Sequence, residues 1–127
     1  MSLLKPSPGE VIDRLSILLL KIKASAQTNR NVGSLLAEIA ELNGYLNPLV
    51  PSRKGFADLE HSVYCVNGEL WQLEDKVRAL PSTAVLDLAK VAKEIAAKND
   101  ERMRIVREID KAFGWNETPS EKIYGVP

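Results

Sequence analysis

The sequence predicts an all-α protein: an antiparallel helical bundle of about four helices, built on a long helical hairpin and followed by an irregular C-terminal tail. Three observations lead there. Apolar residues recur at steps of three and four along most of the chain, no segment alternates as a strand does, and proline- or glycine-containing breaks cut the periodic stretches apart. The resulting helices cover about 8–26, 34–46, 54–80 and 83–113, with a tail over 114–127. A length of 127 residues, 45% of them apolar, suits one domain, 1–127, whose core needs no staple.

The first helix is announced by Ser7-Pro8-Gly9-Glu10. Ser7 can cap, Pro8 suits the first helical position, and Glu10 can reach back to the Ser7 amide. Val11, Leu15, Leu18 and Ile22 then line one face, widened by Ile12 and Leu19. Ile17 and Leu20 fall on the opposite side beside Glu10 and Asp13, so the helix is apolar on two sides and calls for cover on both, from another helix layer or a second subunit. Polar residues from Gln27 to Asn31, with Gly33, make a loop. Leu35, Ile39, Leu42 and Leu46 mark a short second helix, capped by Asn31 or Ser34 and ended by Asn47-Pro48.

After the break at Pro51 to Gly55, Leu59, Val63, Val66, Leu70, Leu73, Val77 and Leu80 keep an unbroken three-four alternation. Pro81-Ser82-Thr83 stops that helix and starts the last, with Ser82 or Thr83 as its cap; so short a connection makes the two antiparallel neighbours. The last helix carries Val85, Leu88, Ala92, Ile95, Val106, Ile109 and Phe113, and its regular beat is broken at Asn99 and Arg102. Gly114 is its natural stop.

Composition excludes several functions. Seventeen basic residues balance seventeen acidic ones, which gives no drive toward nucleic acid or anionic lipid. Cys65 and His61 are single, which rules out an intrachain disulfide and any Cys/His zinc site of four ligands. The longest apolar run, Ile17 to Leu20, is far shorter than the roughly 20 residues of a membrane span. Pro6, Pro8, Glu10 and Asp13 follow too soon for a signal peptide. The expectation is a soluble cytoplasmic protein with no cofactor, no nucleic-acid partner and no membrane partner.

The polar groups beside the core are the candidate site. On the third helix they are Tyr64, Asn67, Trp71, Glu74, Asp75 and Arg78; on the fourth, Asn99, Asp100 and Arg102. A hairpin turning near residue 81 sets Asn99 close to Val63 and Tyr64, and Arg102 close to Glu60 and His61, with the Glu74 to Arg78 group several turns away. Only helix 1 or the tail can then join the two groups. Arg102 reads either as part of a ligand site or as a structural residue whose stem lies on the core and whose head reaches Glu60. Trp71 reads as a stacking platform or as a core edge, with Glu74 and Arg78 as polar anchors or as an i,i+4 pair. Gly68, costly inside a helix, suggests a close approach there. Glu10 and Asp13 are weak candidates for a hard cation, since acidic residues also favour a helix N-terminus. Cys65 reads as core filling, and no nucleophilic dyad or triad is legible.

Three stretches carry a resemblance: Ser7 to Arg14 (SPGEVIDR), Asn67 to Arg78 (NGELWQLEDKVR), and Lys98 to Arg102 (KNDER) leading to Glu108-Ile109-Asp110. Together with Glu121-Lys122-Ile123-Tyr124 they resemble an uncharacterised family of small bacterial helical proteins, a domain of unknown function found beside or fused to glycosyltransferases of surface-polysaccharide pathways. The resemblance implies that Glu10, Asp13, Asn67, Trp71, Glu74, Asp75, Arg78, Asn99, Asp100, Arg102, Lys122 and Tyr124 form a constellation. It brings no reaction with it. The function expected is therefore a non-catalytic helical module that dimerises through the Ile17 and Leu20 face of helix 1 and binds a protein partner or small ligand at the Trp71 strip. The alternative is a Mg²⁺-dependent all-α nucleotide pyrophosphohydrolase, for which Glu38, Glu41, Glu10 and Asp13 give only a fragmentary pattern in the wrong order. A chorismate-mutase-like enzyme would need Arg14, Arg78, Arg102 and Lys122 to converge.

Overall fold

The computed structural model describes residues 6–26, 31–49 and 54–115. Among them are four α-helices: α1 (Pro8–Ala26), α2 (Gly33–Leu46), α3 (Ala57–Ala79) and α4 (Val85–Ala112). Short 3₁₀ turns follow α2 (Asn47–Leu49) and precede α3 (Lys54–Phe56), and no strand occurs among the described residues. The protein is an all-α bundle. None of these helices is long and apolar enough to cross a membrane.

The helix ends follow from their sequence chemistry, with two exceptions. At the start of α1, Glu10 N–H donates to Ser7 Oγ (3.2 Å) while Ser7 N–H donates to Glu10 Oε1 (2.9 Å), a reciprocal capping box. At the end of α4, Gly114 adopts φ 72°, its N–H reaches Lys111 O (3.0 Å), and Trp115 N–H reaches Asp110 O (2.9 Å). These are the paired bonds of a glycine-terminated helix. The exceptions are the expected caps of α2 and α4. Val32, not Asn31 or Ser34, precedes α2; the Asn31 side chain instead accepts the Gly33 N–H in the loop (2.8 Å). Ala84, not Ser82 or Thr83, precedes α4, because the connection closes on itself through Ala84 N–H to Pro81 O (3.0 Å), which confines Ser82 and Thr83 to the turn.

α3 and α4 form the antiparallel hairpin, and α1 lies on it with α2 on its other side. Helix α1 is thus the hub, which explains why it is apolar on two sides. Val11, Ile12 and Leu15 join Leu46 of α2, Val63, Val66 and Leu70 of α3, and Ile105, Val106 and Ile109 of α4 in one core. Phe56 and Phe113 close its end with ring centroids 5.0 Å apart. The backbones of α1 and α4 touch at Gly9. A Cβ there would run into the Val106 carbonyl oxygen and sit 2.8 Å from Asp110 Oδ1, so only glycine fits. In exchange the Gly9 N–H donates to Asp110 Oδ1 (2.7 Å).

The hairpin register differs from the expected one. Lys98 meets Glu69 (2.8 Å), whereas a turn centred on residue 81 would have set it near Tyr64. The connection runs from Leu80 to Ala84, and the Lys98–Glu69 pair is centred between Thr83 and Ala84. The seam of α4 also shifts phase in its first half. Leu88, Val91, Ile95, Lys98 and Arg102 face inward, while Val85, Ala92 and Asn99 are exposed. The polar interruption therefore consists of Lys98 and Arg102 rather than Asn99 and Arg102.

Candidate functional site

Two polar features flank the core. The first is a closed network where α1, α3 and α4 meet. Arg102 Nε donates to Asp13 Oδ1 (2.9 Å) and Oδ2 (3.1 Å), and its Nη2 donates to Oδ2 (2.5 Å). Asn67 Nδ2 donates to Asp13 Oδ1 (2.8 Å) and to Ser16 Oγ (2.6 Å), whose hydroxyl donates to Asp13 O (2.7 Å). Asp13, Ser16 and Asn67 are buried, and the Arg102 side chain keeps 28% of its surface in water. Both amide hydrogens of Asn67 are used, and the Ser16 hydroxyl both accepts and donates. The head of Arg102 thus turns to helix 1, not to Glu60 across the hairpin. Asn67 and Arg102, set apart by the expected register, are brought near each other by the observed one and meet at Asp13.

The second feature is a groove between α1 and α3, a cavity of about 400 Å³. Tyr64 and Trp71 lie two turns apart on α3 with Gly68 between them, and Leu20, Lys23 and Ala24 of α1 form the opposite wall. The nearest atom to a Cβ placed on Gly68 is Leu20 Cδ2 at 4.0 Å. That is ordinary contact, so no neighbour demands the glycine. Its effect is to keep the groove floor flat between two aromatic rings. Gln72 and Lys23 supply polar atoms at the groove.

The candidate residues separate accordingly. Asn67 and Arg102 belong to the network and Trp71 to the groove. Glu74, Asp75 and Arg78 are exposed further along α3, where Arg78 pairs with Asp75 (2.7 Å) rather than with Glu74. Asn99 and Asp100 are exposed on α4. Lys122 and Tyr124 lie outside the described residues. Glu10 is the capping acid and Asp13 the anion of the network. Among the described residues no three His, Cys, Asp or Glu side chains converge as a metal site.

Other ionised groups are paired locally. Glu38 accepts from Arg14 (2.8 Å) across α1 and α2, which holds its carboxyl below and the Arg14 guanidinium above their ordinary values. Lys98, between Glu69 and Glu101, is raised for the same reason. Asp110 goes the other way: burial raises its pKa, opposed by the hydrogen bonds from Gly9 and Ser7.

No family model, curated protein or solved structure matches this chain.

Sequence reasoning reached Asp13 as a weak cation candidate and through the resembled constellation, but it missed Ser16, Lys23 and Ala24 of α1. Lys23, Ala24 and Ser16 carried no distinguishing signal, but Asp13 beside Ile17 and Leu20 did. An acid on a second inward face predicts a basic partner there. A further miss is Cys65, which is exposed rather than in the core, its Sγ 3.4 Å from His61 Nε2.

Proposed function

We propose that the chain is a non-catalytic helical module that binds a saccharide in the groove between α1 and α3, as part of bacterial surface-glycan assembly in the cytoplasm. The observation that carries this reading is the pairing of Tyr64 and Trp71 across Gly68. Two aromatic faces roughly 10 Å apart along a helix suit the apolar faces of successive sugar rings. The Lys23 ammonium and the Gln72 amide suit their hydroxyls. The association of the resembled family with glycosyltransferases points to the same ligand class. The buried network has a different task, since its donors and acceptors already satisfy one another. It fixes α1 against the hairpin and so sets the width of the groove.

Self-association through α1 belongs to this reading. Leu19 keeps 49% of its surface exposed and Ile17 is half-buried, while Leu20 of the expected face forms a wall of the groove. Tryptophan fluorescence and calorimetric titration with neutral and acidic oligosaccharides test the binding. Saturable binding is expected, lost in Trp71→Ala and retained in Arg78→Ala. Binding unaffected by Trp71→Ala, or none at millimolar saccharide, refutes the groove as the site.

A further inference from the structure

A second cavity, of about 360 Å³, lies between α1, α2 and α3, and Tyr64 lines both it and the groove. Gly9 meets Asp110 and Asp13 meets Arg102, so α1 runs antiparallel to α4 and hence parallel to α3. The two cavities take their walls in that order. The first is lined by α1 up to Leu19 and α3 up to Tyr64, the groove by α1 from Leu20 and α3 from Tyr64. On α3 the lining positions Ala57, His61, Tyr64, Gly68 and Trp71 follow steps of three and four, which keeps them on one stripe of the helix. The two cavities are therefore successive stretches of one trough passing over Tyr64, about 20 Å long from Ala57 to Trp71 at 1.5 Å per residue.

The stretches differ in chemistry. The groove offers aromatic faces with the Lys23 and Gln72 heads, whereas the second cavity is walled by Ile12, Leu15 and Leu19 of α1, Ile39 of α2 and Ala57 of α3. Tyr64 apart, its polar side chains already have partners: Ser16 in the network, His61 with Cys65 (3.4 Å), and Asn43 and Glu60 as well. A sugar ring there finds no aromatic face beyond Tyr64 and few uncommitted polar atoms. An alkyl chain finds aliphatic walls, and it covers Leu19, which is half in water.

We propose that the ligand is a saccharide carrying an alkyl chain, the chemistry of a glycolipid, with its sugar rings on Tyr64 and Trp71 and its chain in the cavity between α1, α2 and α3. The proposal rests on the saccharide reading of the groove and extends it. Because the lining changes character at Tyr64, one molecule filling both stretches is polar at one end and aliphatic at the other. The cavity runs about 10 Å from Ala57 to Tyr64, so it takes only the first few carbons of the chain. Ligand and self-association then compete for Leu19.

The test is calorimetric titration of the full chain with maltose and with its butyl, hexyl and octyl glycosides, each below its micelle concentration. Affinity should rise about four-fold for each methylene buried and level off once the cavity is full. Leu19→Glu, at an exposed position, should reduce the affinity for octyl maltoside to that for maltose with the circular dichroism unchanged, and Trp71→Ala should weaken both ligands. Equal affinity for maltose and octyl maltoside overturns the proposal and leaves the saccharide reading standing. So does chain-dependent binding that Leu19→Glu does not alter, since the chain then lies elsewhere. Equal affinity for octyl maltoside and for an octyl chain on an ethylene glycol headgroup overturns the saccharide reading and the proposal with it, as does no binding by any member of the series.

Discussion

Replacing Arg102 with leucine tests whether the polar network holds α1 to the hairpin. The substitution leaves the carboxylate of Asp13, whose side chain is 12% exposed, with the Asn67 amide as its remaining side-chain donor. Stripping a buried ion of its partner costs about 3 to 5 kcal/mol. Two effects reduce that. Water reaches the Arg102 site, whose side chain is 28% exposed, and the leucine itself recovers up to about 1.5 kcal/mol of apolar burial. The net expectation is a loss of about 2 to 3 kcal/mol, or roughly 10 °C in Tm for a chain of this size. Urea unfolding followed by circular dichroism measures it.

The decisive comparison is the double variant Asp13→Leu with Arg102→Leu. Removing both charges relieves the stranded carboxylate, and Asn67 keeps its bond to Ser16. The double variant should therefore be more stable than Arg102→Leu alone, with a coupling of about 1.5 to 3 kcal/mol. Strictly additive losses, or an Arg102→Leu variant within about 0.5 kcal/mol of the parent, the level of an unimportant surface change, would refute the claim that this pair fixes the helix.

Gly9→Ala should destabilise by about 1 to 3 kcal/mol through overpacking against Val106, whereas Gly44→Ala, with open space at its Cβ position, should stabilise by up to about 1 kcal/mol; thermal melts of the two variants check the contrast. Gly68→Ala should likewise stabilise α3 by about 0.5 to 1 kcal/mol yet weaken saccharide binding at least several-fold, and unchanged affinity would show that no ring lies over that floor. Because burial raises the Asp110 pKa in the folded state, the folded chain binds its proton more tightly than the unfolded chain. Its contribution is thus full below the ordinary carboxylate value and declines as pH rises toward the raised folded value. Asp110→Asn, which retains an acceptor for the Gly9 N–H, should remove that decline, so its stability relative to the parent should increase across the acidic range; a pH-independent difference in urea midpoint would refute the assignment.

The sequence makes the helices legible because periodicity and end signals are local. The capping box at Ser7 and Glu10 and the Gly114 stop each depend on a few neighbouring residues, and both form as read. What it leaves open is pairing between helices. The choice of Asn99 as a seam residue carried the phase of Val85 forward, but Val85 lies at the exposed end of α4, where no packing partner fixes its direction. Lys98 satisfies the true phase by reaching across to Glu69, and a lysine is a poor sequence marker of an inward position because its long stem serves either side. Gly9 is likewise silent: a glycine in a capping sequence does not announce that another helix backbone will press against it.

The network and the groove divide the work that one composite site would have had to do. A ligand drawn into the network would have to displace Arg102 or Asn67 from Asp13 and leave a buried charge or amide unpaired, at a cost of the same order as the Arg102→Leu loss. No such cost stands at the groove, where the Gly68 floor has no side chain and the Trp71 ring is only half-buried. Asn67 and Trp71 sit one turn apart on α3, so the residue that anchors α1 and the residue proposed to meet the saccharide are held by the same helical segment. A change that loosens the Asp13 anchor should therefore reach the binding face through the position of Leu20 and Lys23, lowering affinity without touching a ligand contact.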